Sequence, residues 1–320
     1  MWVFLGLISM TFLGFYDVAK KSSLKGNPVI PVLTISTAVS LLFFLPFIIN
    51  CLGGFGWFEG TMFEISRGTP REQLLLLLKA MLVLSSWTLG YYGLRSVPLS
   101  IYGPINATRP VFVLLGAILI FGERLNLLQW TGVLLSLGSL YMLSLTSRRN
   151  EGIDFKHNRG IWCCAAATLL GAASALYDKY LLREMDSVFV QSWFNFYNAI
   201  LMAAVMLLVW LPQHRREVKA GKGSAVQPAG AKADDNAMPL KWKWSIPLIS
   251  VCVSIADFAY MYALTFDGSM ISVLSTIRRG SVIISFLCAA ILFKEKNLKA
   301  KAVDLAVVLL GMVFLLLGSL

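Results

Sequence analysis

Apolar residues run along this chain in blocks of about 20, the length that spans a hydrocarbon core of roughly 30 Å. Polar residues gather between the blocks. The pattern predicts ten spans, at about 1–20, 28–50, 74–94, 98–121, 128–146, 160–182, 187–211, 244–264, 269–293 and 301–319. A chain in lipid must satisfy its own backbone groups, so each span is predicted to be a helix. Most connections are short. The exceptions are 51–73, 147–159 and 212–243, and the last is rich in Gly, Ala, Lys and Pro, which predicts a disordered basic loop.

Composition agrees. The 320 residues are 57% hydrophobic and only 14% charged, with a mean hydropathy of +0.71. Soluble domains are nearer half apolar and a quarter charged. The net charge of +11 does not indicate nucleic acid, because most cations lie in short loops without interleaved aromatics. Cys51, Cys163, Cys164, Cys252 and Cys288 lie in or beside apolar blocks without CxxC spacing or a histidine cluster, so neither disulfides nor a metal site is expected. The start, MWVFLGLISMTFLGF, lacks a basic segment and a cleavage site, so it reads as a retained helix.

The chain repeats itself. AILIFGERLNLLQWTGVLLSLGS and AAILFKEKNLKAKAVDLAVVLLG superpose at an offset of 172, placing Glu123 on Glu295. An offset of 161 places Tyr16-Asp17 on Tyr177-Asp178. Residues 1–146 and 160–320 are therefore read as two five-helix units joined by a linker at 147–159. Five is odd, so the two would enter a membrane in opposite senses, which is a transporter pattern with a site between the halves. The turns GERL at 122–125 and KEKN at 294–297, followed by Gly132 and Gly138 or Gly311, resemble the drug/metabolite transporter superfamily, EamA type. The resemblance implies an all-α polytopic protein of the cell membrane, efflux of a small organic metabolite, and a bacterial inner (plasma) membrane location.

Loop cations are divided unevenly. Those from Lys20, Lys21 and Lys25 through to Lys299 and Lys301 fall almost all on one side, while Arg67, Arg71, Arg124 and Arg183 fall on the other. The positive-inside rule makes the first side cytoplasmic and places both termini outside.

Inside the spans, Arg109, Arg278, Arg279 and Asp257 stand near helix centres. Each central charge costs about 2.5–3.5 kcal/mol on the insertion scale, so such groups pair or line a wet cavity. Tyr102, Asn106 and Arg109 share one helix face, and Arg278, Ser281 and Ser285 form the matching stripe in the second half. This places Arg109 and Arg278 in a central cavity and leaves Arg279 as a structural partner of Asp257. One carboxylate cannot neutralise three guanidiniums, and the surplus favours an anionic or carboxylate-bearing substrate. On this reading Arg278→Ala abolishes transport. Pro110 removes its N–H and so frees the Asn106 carbonyl, which reads either as a kinked or broken helix at a transport site or as a proline kink kept for packing. Gln191, Asn195 and Asn198 fall on one face and are further candidates for cavity lining. Lys79 and Lys179, near span ends, are expected to snorkel.

Tyr16, Asp17, Tyr177 and Asp178 read either as interfacial salt bridges with belt tyrosines or, with Asp257, as coupling and gating groups. Asp17 has Lys20 and Lys21 in reach along its helix, and Asp178 has Lys179 and Arg183. Glu123 and Glu295 are expected to tie each fourth helix of a half to its fifth. The only histidines, His157 and His214, lie in loops without a carboxylate pattern, which argues against an enzyme. The sequence reading is thus a secondary transporter working by alternating access. It takes a small-molecule solute and the lipid bilayer as partners, needs no cofactor, binds no nucleic acid, and works as a monomer or homodimer. The alternative is a flippase for an anionic lipid-linked carrier.

Overall fold

The computed structural model describes residues 1–61, 63–121, 126–151, 155–219, 238–264, 266, 274, 277–295 and 298–318. Among these the chain is helical, without strands. The helices are α1 (Trp2–Leu24), α2 (Val29–Gly53), α3 (Pro70–Ser96), α4 (Leu99–Ala107), α5 (Arg109–Phe121) and α6 (Leu127–Glu151). There follow α7 (Arg159–Leu181), α8 (Ser187–Val205), a π-helical stretch Met206–Trp210, α9 (Leu211–Lys219), α10 (Ser245–Leu264), α11 (Ser281–Ile291) and α12 (Leu298–Leu317). Six helical stretches among the described residues are long and apolar enough to cross a membrane. Large apolar side chains such as Leu42, Leu134, Leu208 and Ile291 face outward, as in a protein whose solvent is lipid.

Local chemistry sets the helix limits. Thr69 opens α3 with a reciprocal box, accepting from the Glu72 N–H while Glu72 accepts from the Thr69 N–H, and Pro70 follows at the first helical position. Asp186 opens α8 by accepting from the Val188 N–H at 2.7 Å. Gly54, left-handed at φ 66°, ends α2.

The block read as one span at 98–121 is two helices. Thr108 adopts φ −78°, ψ −2° between α4 and α5. Pro110 has no N–H for the Asn106 carbonyl, so the ladder stops there. The Thr108 N–H instead donates to the Ile105 carbonyl at 3.2 Å and the Val111 N–H to the Thr108 carbonyl at 3.0 Å. The same pattern stands 172 residues on, where the Gly280 N–H donates to Ile277 and the Ile283 N–H to Gly280, both at 2.9 Å.

Packing follows a pattern too. The most extensive helix pairs are α1 with α10, α3 with α7, and α6 with α12, followed by α2 with α8. Close approaches depend on missing side chains. A Cβ on Gly132 would lie 2.6 Å from the Gly311 carbonyl oxygen, and one on Gly93 would lie 2.5 Å from Cys164 Sγ. Gly138, the other small residue singled out in this turn, has open space around it.

Several loop expectations change. Lys20 and Lys21 belong to α1 and Lys301 to α12. Lys20 is 4% exposed and Lys301 0%, so these are interior charges, not loop cations. Of the loop expected at 212–243, residues 212–219 are helical, and 220–237 lie outside the described residues. The GERL turn at 122–125, with Glu123 and Arg124, also lies outside them, as do Lys296 and Asn297.

Candidate functional site

The charges at the centre of the bundle form two ion pairs, with two further guanidiniums, Arg109 and Arg279, beside them. On α10, Asp257 Oδ1 accepts from Arg278 Nη2 at 2.6 Å, and the Arg278 guanidinium lies 4.4 Å from the Tyr260 ring centre. This corrects the expected pairing: Asp257 is held by Arg278, not Arg279. Helix register alone could not decide which neighbouring arginine turned toward α10. Arg279 is left with electrostatic neighbours of its own sign, Arg109 and Arg278, and with Tyr260. Among the described residues no carboxylate pairs with it.

Arg109 comes from the first half. Its Nη2 donates to Asn106 Oδ1 at 2.9 Å, and its guanidinium lies against α7, where a Cβ on Gly171 would approach Cζ to 2.6 Å. Its buried Nε has no hydrogen-bond partner among the described residues.

The second pair is the one expected along α1, but it is buried, not interfacial. Lys20 Nζ lies 2.7 Å from Asp17 Oδ1. Three tyrosine rings surround the ammonium, Tyr16 at 4.1 Å, Tyr102 at 5.4 Å and Tyr91 at 5.7 Å. Tyr16 is in electrostatic reach of both Asp17 and Asp257, so the two pairs adjoin. Around this centre stand four cations, Lys20, Arg109, Arg278 and Arg279, and two carboxylates, Asp17 and Asp257. Lys20 counts as a loop cation by sequence because its run, AKKSS, reads as a basic loop edge, whereas it is 4% exposed.

The second Tyr-Asp motif is arranged differently. Asp178 Oδ1 lies 3.0 Å from Lys79 Nζ of α3, not from Arg183, and Lys79 is buried instead of snorkelling. The Lys179 side chain lies outside the described residues. The Tyr177 hydroxyl donates to the Leu75 carbonyl at 3.1 Å.

Other candidates are engaged locally. Ser285 Oγ donates within its own helix, 3.2 Å from the Ser281 carbonyl oxygen, and the same carbonyl lies beside Gly14 of α1. Asn195 Nδ2 donates back to the Gln191 carbonyl at 2.8 Å. Asn198 is buried, and its Oδ1 has no hydrogen-bond partner among the described residues. Glu295 does not tie the last two helices together. It reaches α4, where its carboxylate accepts from the Leu99 N–H at 2.7 Å and the Ser100 N–H at 3.0 Å.

The two ends of the bundle differ. One, the basic end, is latched by Glu295 on α4, Ser23 on Ser245 at 2.7 Å, and Asn27 on Lys241. At the other, a cleft of about 540 Å³ is lined by residues that include Thr61, Glu64, Ser66, Glu72, Glu184 and Asp186.

Among the described residues the chain is a helical bundle with an apolar exterior and a cation-rich centre. Residues 1–145 match the model of the EamA-like transporter family. The match includes GERL but not KEKN, and the work of EamA-like proteins is membrane transport of small solutes. A solved structure whose title says only that it is the crystal structure of a protein aligns with a TM-score of 0.60 over 99% of this chain and 97% of its own. At 14% identity it shows the fold alone. No curated protein matches the chain.

Proposed function

We propose that this EamA-like chain carries a small anionic or carboxylate-bearing organic solute, outward from the cell, by alternating access between two inverted five-helix halves. The observation that carries the reading is the Arg109–Arg279 couple. The two cations come from opposite halves, stand in each other's field, and have no carboxylate partner among the described residues. Two desolvated guanidiniums repel each other, and an anion bridging them would turn that repulsion into binding. Asn106, already on Arg109, and Tyr102, one turn earlier on α4, would line the same space.

Three features support two inverted copies making up ten spans. The turns at Thr108 and Gly280 carry the same hydrogen bonds. The α1–α10 and α3–α7 pairs exchange under the repeat, and α6–α12 maps onto itself. Asp17 and Asp178, equivalent in sequence, each hold a buried lysine. Asp17 and Asp257 are then the carboxylates placed to couple protons. The uneven loop charge supports a cytoplasmic basic end, in a plasma membrane such as the bacterial inner membrane.

The test is thermal unfolding of the purified protein with acidic, zwitterionic and cationic metabolites, alongside Arg109→Ala and Arg279→Ala. A ligand of the folded state raises Tm by mass action. Stabilisation by acidic compounds that disappears in both variants is expected. Stabilisation confined to cationic or neutral compounds, and unchanged in the variants, would sink the reading.

A further inference from the structure

Charges from both halves converge on the corner between α3 and α4. The C-terminal end of α3 presents the Leu94 and Val97 carbonyls, and both accept from Lys21 Nζ of α1, the first at 2.6 Å. The N-terminal end of α4 presents the Leu99 and Ser100 N–H groups to the two oxygens of Glu295. The Ser100 hydroxyl accepts from the fully buried Lys301 at 2.9 Å. The corner therefore has a cation at the negative end of one helix and an anion at the positive end of the next. Lys294, with a left-handed φ of 48°, turns the chain after α11 so that Glu295 points back across the bundle.

Glu295 and Lys301 belong to the second half, and the corner they hold belongs to the first. If the halves rock, the interaction at this corner must break. No helix depends on Glu295 for its own continuity, so the contact is separable. Two backbone donors, the α4 dipole and two nearby lysines make a carboxylate-binding pocket, and the carboxylate in it is the chain's own.

We infer that Glu295 is the gate of the basic end: its carboxylate occupies a carboxylate-binding pocket at the α4 N-terminus, and its release opens that end. This rests on the alternating-access reading above but is tested apart from any substrate. Formate or another small carboxylate is the ligand class that would fill the pocket once the glutamate is removed.

Cys164 supplies a native reporter. It is 1% exposed and lies beneath the corner, in electrostatic reach of Lys21 and Tyr102. In detergent-solubilised protein with the other four cysteines replaced by serine, the rate of Cys164 alkylation by a maleimide reads opening. Glu295→Ala is expected to speed labelling about tenfold, the loss of one net charge-assisted hydrogen bond. Formate at tens of millimolar should slow it again, while chloride at the same ionic strength should not. Equal rates in Glu295→Ala and parent overturn the gate. A faster rate that formate leaves unchanged overturns the pocket.

Should Glu295→Ala not purify, Glu295→Gln carries the test, since an amide has one acceptor oxygen where the carboxylate has two. It must label faster than the parent, or the proposal falls. Lys79→Met, which weakens the bundle elsewhere, must leave the rate unchanged; an equal rise there would mean general loosening and would also overturn the gate. If the gate fails while acidic solutes still stabilise the protein through Arg109 and Arg279, the anion site stands without it.

Discussion

Arg278 and Arg279 are adjacent in the chain and opposite in circumstance. Arg278 donates to Asp257 at 2.6 Å and stacks on Tyr260, while Arg279 meets Arg109 and Arg278, charges of its own sign. Removing one partner of a buried pair strands the other charge, while removing an unpaired cation relieves repulsion. Arg278→Ala is expected to lower stability by about 1–2 kcal/mol, moderated because the Asp257 side chain is 30% exposed. Arg279→Gln is expected to leave stability unchanged or raise it, and to abolish stabilisation by acidic solutes. Chemical denaturation of both variants checks this. An Arg279→Gln chain less stable than Arg278→Ala would reverse the assignment.

That contrast marks where sequence reasoning stops. Block length and hydropathy set out an all-helical, membrane-spanning chain, but one block, 98–121, is two helices with a turn at Thr108. The family resemblance came from short turns and holds over residues 1–145. What was not legible is orientation about a helix axis. A residue's neighbour lies about 100° round the helix, so the pattern knows that a face is polar but not what faces it. Arg278 was exchanged with Arg279 for that reason. Lys20, Lys21 and Lys301 were misplaced for another. In a membrane chain a lysine near a helix end has the same sequence whether it points to water or to a carbonyl. Only the partner and the packing decide, and Leu94 and Ser100, the partners of Lys21 and Lys301, are far away in sequence.

The two buried lysine–aspartate pairs should not be equally costly to break. The side chains of Lys20 and Asp17 are 6% and 9% exposed, and three tyrosines close the site. Asp178, the partner of Lys79, has a side chain 37% exposed. Water can solvate Asp178 once its lysine is gone, but it has poor access to Asp17. Lys20→Met is therefore expected to cost about 3 kcal/mol, and Lys79→Met about 1 kcal/mol. Adding Asp17→Asn to Lys20→Met should recover much of the loss, because the stranded charge is removed with it. A double mutant no better than the single would show that the tyrosine cage, not the ion pair, holds this corner.

Asp304 of α12 is 1% exposed, and neither carboxylate oxygen has a hydrogen-bond partner among the described residues. It faces α6 near Thr146. An uncompensated carboxyl group is expensive to bury in either protonation state and most expensive when charged. Asp304→Asn keeps the shape and removes the charge, so it should raise Tm by a few degrees, about 1 kcal/mol. A fall in Tm would mean that the carboxylate has a role that the amide cannot fill.

The crossing of α6 and α12 gives the sharpest steric test. A Cβ on Gly132 would sit 2.6 Å from the Gly311 carbonyl oxygen, and a Cβ on Gly311 would sit 2.9 Å from the Gly132 carbonyl oxygen. Both obstacles are backbone, which cannot rotate aside as the end of a side chain can. Close helix contact through small residues is a main source of association in lipid, where burying apolar surface brings little. Gly132→Val should force the helices apart and cost about 1–3 kcal/mol. Gly138, six residues on, has open space around it and serves as the control. Gly138→Ala should leave unfolding unchanged or slightly stabilise the helix, since alanine is the better helix former. Equal losses at the two positions would mean that glycine content, not the crossing, determines the stability of α6.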